Sequence, residues 1–274
     1  MIVEFLISTM NRTDLKFLES MFQNNEIHDV NAVVINQCTK IDIPDIRSEY
    51  KNIKVISVNE KGLSRSRNLA LKNATGDILV IADDDVTYEK DVVNKIKSAY
   101  EQLIDADIIT FRVKVDDSKM FKNYPKTIVK HNYRTINKIS SIEISFKRNK
   151  VEGVVFDNFF GLGSEFPMGE ENIFLHDLLK KGKMMWYHPS TIVCHEEITS
   201  GIQADAKQYY ETKGAVYYRM FSILFIIANI IFLIRHKEIH RKKNISFFNA
   251  FLIMFEGGVK YRSNKSKAIK LDYL

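Results

Sequence analysis

Three consecutive carboxylates, Asp83-Asp84-Asp85, stand directly after the apolar run Ile78–Ala82. Like charges at neighbouring positions disfavour one another's ionised form, so such a triplet needs countercharge close by. Hard oxygen donors spaced this way suit Mg²⁺ or Mn²⁺, ions that also bridge the phosphate oxygens of a substrate. Capping of the helical pattern near Lys90 is the structural alternative, but it accounts poorly for three acids in a row. A second acidic pair, Glu170-Glu171, opens a helical pattern that closes on Lys180-Lys181-Gly182, with cations and glycine at the carboxyl end. Acids in a first turn are favourable by about 0.3–1 kcal/mol each. Successive helical residues point ~100° apart, so the two glutamates cannot share one role.

These groups need a scaffold that brings strand ends together. Ile2–Ile7, Val30–Ile35, Ile53–Val58, Ile78–Ala82 and Asp107–Phe111 read as strands. Asp14–Phe22, Leu63–Asn73 and Lys90–Leu103 carry helical spacing between them. Such alternation predicts an α/β fold, a mostly parallel sheet with helices on its faces. Ligands of these sheets bind beyond the carboxyl ends of the strands. The residues there are Ser8–Arg12, Asn36-Gln37, Asn59–Gly62 and Asp83–Asp85, all polar groups. Further along, Ser140–Phe146 alternates like a strand, and Thr191–Cys194 reads as a short strand that delivers His195.

Gly62-Leu-Ser-Arg-Ser-Arg67-Asn68, Ala74-Thr-Gly76-Asp77 and the strand into Asp83-x-Asp85 resemble the nucleotide-sugar half of family 2 glycosyltransferases. Phe156-Asp157, Phe160-Gly-Leu-Gly163, Gly169-Glu170-Glu171-Asn172 and Pro189-x₅-His195 follow in that family's order, so the resemblance covers about residues 2–200. It implies a GT-A-like, Rossmann-type fold and an inverting, metal-dependent transfer from a nucleotide-sugar donor, with Mn²⁺ or Mg²⁺ as cofactor. By the same resemblance Thr9, Asn11, Arg12, Asn36, Arg67, Asp83 and Asp84 contact the donor. Asp85 ligates the metal, with Asp83 and His195 as further ligands. Glu171 stands in the position of the catalytic base and Glu170 is the fallback. Where many relatives carry an acid after the second strand, this chain has Asn36-Gln37, and an amide both donates and accepts where a carboxylate only accepts. A rival pattern remains. Asp83-Asp-Asp85-Val-Thr87 matches the DxDxT motif of haloacid-dehalogenase-like phosphatases, in which Asp83 would be the nucleophile. A non-catalytic membrane-docking protein is the third reading.

Composition bounds the rest. Hydrophobic residues are 45% and charged residues 27% of 274, enough to bury a core. The two cysteines, Cys38 and Cys194, lie too far apart in sequence to suggest a metal knuckle, and their scarcity suits a reducing compartment. Met1–Ser8 has an acid in its apolar run and no basic start, so it reads as a strand and not a signal peptide. From Arg235 to Leu274 there are ten Lys/Arg against three Asp/Glu, while the preceding residues are near balance. A basic tail beside an apolar stretch points to an anionic membrane surface, not to nucleic acid.

That stretch is Met220–Ile234, fifteen uncharged residues between Arg219 and Arg235. A bilayer span needs about 20, so the run predicts a helix lying in the membrane surface, against a buried core helix or a true span. A second apolar stretch, Ile245–Phe255, follows the basic Arg235–Lys243. The expected organisation is a nucleotide-sugar-binding half at 1–112, an acceptor and catalytic half of the same domain at 113–200, and a helical, basic, membrane-associating region at 201–274. The expected partners are a nucleotide-sugar donor, a saccharide or lipid-linked acceptor and an anionic membrane. The expected place is the cytoplasm, peripheral at the inner face of the cell membrane, with a role in surface polysaccharide synthesis.

Overall fold

The computed structural model describes residues 1–39, 46, 48–195 and 205–271, the side chains of 240–242 and 269–271 excepted. The strands are β1 (Val3–Met10), β2 (Asn31–Gln37), β3 (Ile53–Val58), β4 (Ile78–Asp83), β5 (Thr87–Tyr88), β6 (Ile108–Lys114), β7 (Val129–Lys130), β8 (Ile144–Lys147) and β9 (Met185–Cys194). They join in the order β3-β2-β1-β4-β8-β6-β9-β5, with β7 also on β9. β1 to β4 are mutually parallel. β8 runs antiparallel to both β4 and β6, so β6 and its parallel neighbour β9 point the same way as β1 to β4. The sheet is therefore mostly parallel, with antiparallel insertions. β6 runs through the 112/113 boundary of the two expected halves, and the junction at 200/201 lies outside the described residues.

The first helices are α1 (Lys16–Met21), α2 (Leu63–Asn73), α3 (Val92–Gln102) and α4 (Glu170–Lys180). Alternate residues of one strand feed opposite layers, because successive side chains of a strand point to opposite faces. Phe5 and Ile7 of β1 and Val80 of β4 join Leu18 of α1 and Ile96 of α3. Leu6, Leu79 and Ile81 join Ala70 of α2 and Phe174 of α4. Burial on both faces explains why these strands read as continuous apolar runs.

Two strand expectations change. Ser141–Glu143 forms a 3₁₀ turn capped by Ser140, and the strand begins only at Ile144. Ser140 and Glu143 make a reciprocal capping box, and that local bonding diverts the backbone from the ladder. Conversely, β9 begins at Met185, six residues before the expected Thr191. Pro189 hides this beginning, since proline enters strands at bulges, and the β6–β9 register does shift between Thr110 and Arg112.

The C-terminal part holds α5 (Ala206–Phe221), α6 (Phe225–Arg235), α7 (Lys237–Lys242) and α8 (Phe247–Leu271). α5 and α8 pack with their backbones nearly touching. A Cβ at Gly214 would lie 1.8 Å from the Met254 carbonyl oxygen, and one at Gly257 2.0 Å from that of Glu211. Arg219 of α5 anchors the pair to the α/β body, donating from Nη2 to Asp177 at 2.6 Å and from Nε to Asp157 at 2.8 Å. Tyr261 of α8 donates to the same Asp157 at 2.8 Å. The apolar run is thus broken at Ser222, whose φ is 51°. Its α6 portion buries Phe225, Asn229, Phe232 and Leu233 and leaves the other face exposed.

Candidate active site

Parallel register brings the first and fourth strand tips together, Ser8 opposite Asp83. The three carboxylates beyond then diverge, each to its own countercharge or donor. Asp83 accepts from Arg67 Nη2 at 3.0 Å and from Ser141 at 3.1 Å. Asp84 accepts from the Thr9 hydroxyl and from Arg12 Nη2 at 2.7 Å. Asp85 lies 3.5 Å from His195 Nε2 with its side chain 67% exposed. That last meeting is made by a short ladder: Thr87 pairs with Cys194 and Tyr88 with Val193, which sets the residues on either side next to each other. The hydrogen bond from His195 holds the Asp85 carboxyl below its ordinary range.

Arg67 is buried on α2 and joins two elements. Its Nη1 donates to Glu170 at 2.7 Å while Nη2 holds Asp83. Burial opposes its charge, but the fields of Asp83 and Glu170 prevail and keep it protonated. The start of α4 reaches it through a left-handed turn, Gly169 at φ 91°. The Phe160–Gly163 loop closes the floor. Ser64 donates to the Phe160 carbonyl at 2.7 Å, and a Cβ at Gly161, itself at φ 96°, would press on Glu170 at 3.3 Å.

The angular offset at the head of α4 separates the two glutamates. Glu170 is buried against Arg67. Glu171 lines the open cavity, where its charge is felt by Lys213 of α5. Burial and the neighbouring Glu170 raise the Glu171 carboxyl to about 8, against the pull of Arg67 and Lys213. The Lys213 ammonium is lowered by burial, against the pull of Glu171. An acid that is neutral or charged according to small changes in its surroundings can take up a proton near neutral pH.

A cavity of about 460 Å³ gathers Arg67, Asp83, Asp84, Asp85, Glu170, Glu171 and His195. Thr9, Asn11 and Asn36 are outside its lining, and Arg12 lines a groove on the far side of Asp84-Asp85. Asn36 is 1% exposed. Its amide clamps the backbone of Arg12, accepting from N–H and donating to the carbonyl at 3.0 Å each. Asn11, at φ 55°, accepts from the backbone and hydroxyl of Thr39 at 2.9 and 3.1 Å. Ser141, Tyr209 and Lys213 also line the cavity and carried no motif. Lys213 stands on α5, beyond the stretch of about residues 2–200 that the family resemblance covers.

Residues 6–164 match the family described as Glycosyl transferase family 2. No curated protein matches the chain. Among solved structures it is similar to S. aureus TarS 1-349, with TM-score 0.57 and 13% identity over 81% of this chain and 66% of that one. The same TarS fragment in complex with UDP gives 0.58 and 14% over 92% and 74%. The fragment in complex with UDP-GlcNAc gives 0.58 and 13% over 81% and 67%. The chain thus spans just under two thirds of the fragment first compared and 40% of a longer TarS chain. At these identities the likeness speaks for the fold, a GT-A arrangement.

Proposed function

As the chain belongs to glycosyl transferase family 2, we propose that this glycosyltransferase moves a sugar from a nucleoside-diphosphate sugar to an acceptor hydroxyl by single displacement with inversion. The observation that carries the reading is the pairing of a proton-hungry Glu171 with the Asp83–Asp85 tip across one cavity, while Glu170 is occupied by Arg67. The TarS complexes with UDP and UDP-GlcNAc support a nucleotide-sugar donor.

Glu171 accepts the proton of the acceptor hydroxyl as its oxygen bonds to the anomeric carbon. The bond from that carbon to the diphosphate breaks on the opposite face, and the nucleoside diphosphate leaves with the electron pair. Arg67 and Ser141 hold Asp83 in place, so the strand tip keeps its shape as charge develops.

A divalent ion fits the residues present. Among the described residues no three His, Cys, Asp or Glu form a ready cage, yet an exposed carboxylate and an imidazole meet at Asp85 and His195. Mg²⁺ is commonly held by one or two protein carboxylates plus substrate phosphates. Asp85 and His195 would hold the ion, with Asp83 behind them, and when bound it supplies positive charge against the departing diphosphate. Phosphatase chemistry at Asp83 is disfavoured, because both its oxygens are engaged.

The membrane reading rests on α6 and the turn Ser222–Leu224 that leads into it. Ile223, Leu224, Ile227 and Ile234 are each more than half exposed, a continuous apolar face of the kind that marks an interaction surface. By length and composition Ala206–Arg235 is enough to cross a bilayer. Its first half, however, is committed to α8 at Gly214 and to the body at Arg219. We therefore favour docking in the plane of an anionic cytoplasmic surface, with basic residues beside the apolar face, and a saccharide or lipid-linked acceptor of surface polysaccharide synthesis. A screen of nucleotide sugars for donor hydrolysis with Mn²⁺ and in EDTA tests the core of this reading. Turnover of one donor that EDTA abolishes is expected. Full activity in EDTA sinks the metal, and no turnover of any donor sinks the reaction.

A further inference from the structure

Beside the catalytic cavity lies a larger one of about 820 Å³, between the 122–139 segment and the helices α5 and α6. The two share Asn137, Lys138, Ile139, Asn172, Tyr209 and Lys213, so they join on the side of Glu171. Their chemistry differs. In the larger cavity the carboxylate is Glu143, buried and ion-paired with Lys122. Arg134, Lys138 and Arg235 also line it and form no ion pair among the described residues. His131 adds no charge, because burial and Lys122 depress it to about 4. Unbalanced cations in a partly enclosed space concentrate an anion there.

The walls have a direction. Where the cavities join, Tyr209 and nearby Tyr217 offer flat apolar faces with polar edges, suited to a saccharide ring. Farther out the lining turns to Ala228, Ile231 and Phe232 of α6. The same helix exposes Ile227 at 56% and Ile234 at 53%. Aromatic, cationic and aliphatic surroundings thus lie along one path from the base to the apolar surface.

Resting on the transferase reading above, we propose that this cavity is the acceptor site and takes a saccharide joined through phosphate to a long aliphatic chain. The sugar lies toward Tyr209 and Lys213, the phosphate in the field of Arg134, Lys138 and Arg235, and the chain along α6. A volume of this size accommodates such a head group. A membrane phospholipid, sharing the phosphate and chain but lacking the sugar, is the competing source.

Calorimetric titration of the full chain separates these. The probes are N-acetylglucosamine joined through phosphate to a decyl chain, decyl N-acetylglucosaminide without phosphate, N-acetylglucosamine 1-phosphate without chain, and decyl phosphate without sugar, each below its micelle concentration. UDP is the donor control. The complete probe is expected to bind at least tenfold more tightly than each of the other three. Arg134→Gln with Arg235→Gln, both outside the catalytic cavity, and separately Ile231→Asp, should each weaken it about tenfold while UDP binds as before, which also reports that the variants fold. Equal affinity for decyl phosphate assigns the cavity to lipid and overturns the acceptor role. Equal affinity for the phosphate-free glycoside, or indifference to the charge variants, overturns the anion site. Failure of UDP to bind while the complete probe behaves as expected strikes the donor reading alone and leaves the cavity's ligand supported.

Discussion

Replacing Arg67 by Met separates a structural cation from a donor ligand. The side chain is 1% exposed and its guanidinium is divided between Glu170, 6% exposed, and Asp83, 32% exposed. Removing one partner of a buried pair costs about 3–5 kcal/mol, because the remaining charge is stranded. Most of that falls on the Glu170 arm. Asp83 is partly solvated and keeps Ser141, so its share is screened. We expect Arg67→Met to lose about 3 kcal/mol of folding stability, roughly a third of the ~5–15 kcal/mol a typical domain has. The double variant Arg67→Met with Glu170→Leu removes both buried charges. It should recover to within about 1 kcal/mol of the parent, since apolar replacement of a buried ion pair is often close to neutral. Urea unfolding followed by the fluorescence of Trp186, the single tryptophan, measures both, with UDP titration of the folded proteins alongside. A single variant within about 1 kcal/mol of the parent, or a double variant no better than the single one, refutes the buried-clamp argument. Loss of UDP affinity with stability intact would return Arg67 to the donor pocket.

Four further outcomes are expected. Glu171→Gln should lower kcat by about 10²–10⁴, the usual contribution of a general base, with little change in donor affinity, and Glu170→Gln should act mainly on stability. Glu171 must be ionised to accept a proton, and with its carboxyl raised to about 8 by burial and Glu170, against Arg67 and Lys213, the rate should climb as pH rises toward 8 and flatten above it. A rate independent of pH between 6 and 8 removes that assignment. Gly214→Ala forces a methyl group to within 1.8 Å of the Met254 carbonyl and should cost about 1–3 kcal/mol by overpacking, read as a lower Tm. An unchanged Tm would mean that α5 and α8 separate freely. Ile227→Asp with Ile234→Asp should reduce sedimentation with anionic vesicles without altering Tm, since both side chains are exposed. Point changes are the cleaner test than removal of the tail, because Met254 and Tyr261 of α8 are part of the packed interior.

What the amino-acid sequence determined by itself is whatever depends on neighbours along the chain. The runs at Ile53–Val58 and Leu63–Asn73 announce a strand and a helix because side-chain period follows from local backbone geometry. The placement of Asp83–Asp85 after an apolar run announces a charged strand tip for the same reason. The capping box at Ser140 and the bulge at Pro189 were harder to see, because each overrides the simple period with one local bond or one missing donor. What tertiary structure alone decided is which group answers which. Asp83, Asp84 and Asp85 are chemically alike in sequence, yet Arg67, Arg12 and His195 take one each. Glu170 and Glu171 are identical side chains, and only the distant Arg67 makes one a clamp and leaves the other facing the cavity. Asn36 stands where a donor contact was expected, and the turn after β1 takes both sides of its amide. Lys213, on a helix far along the chain, enters the site only through the packing of α5 over α4. Desolvation and ion pairing act through space between residues remote in sequence, so no reading of local pattern could have assigned those roles.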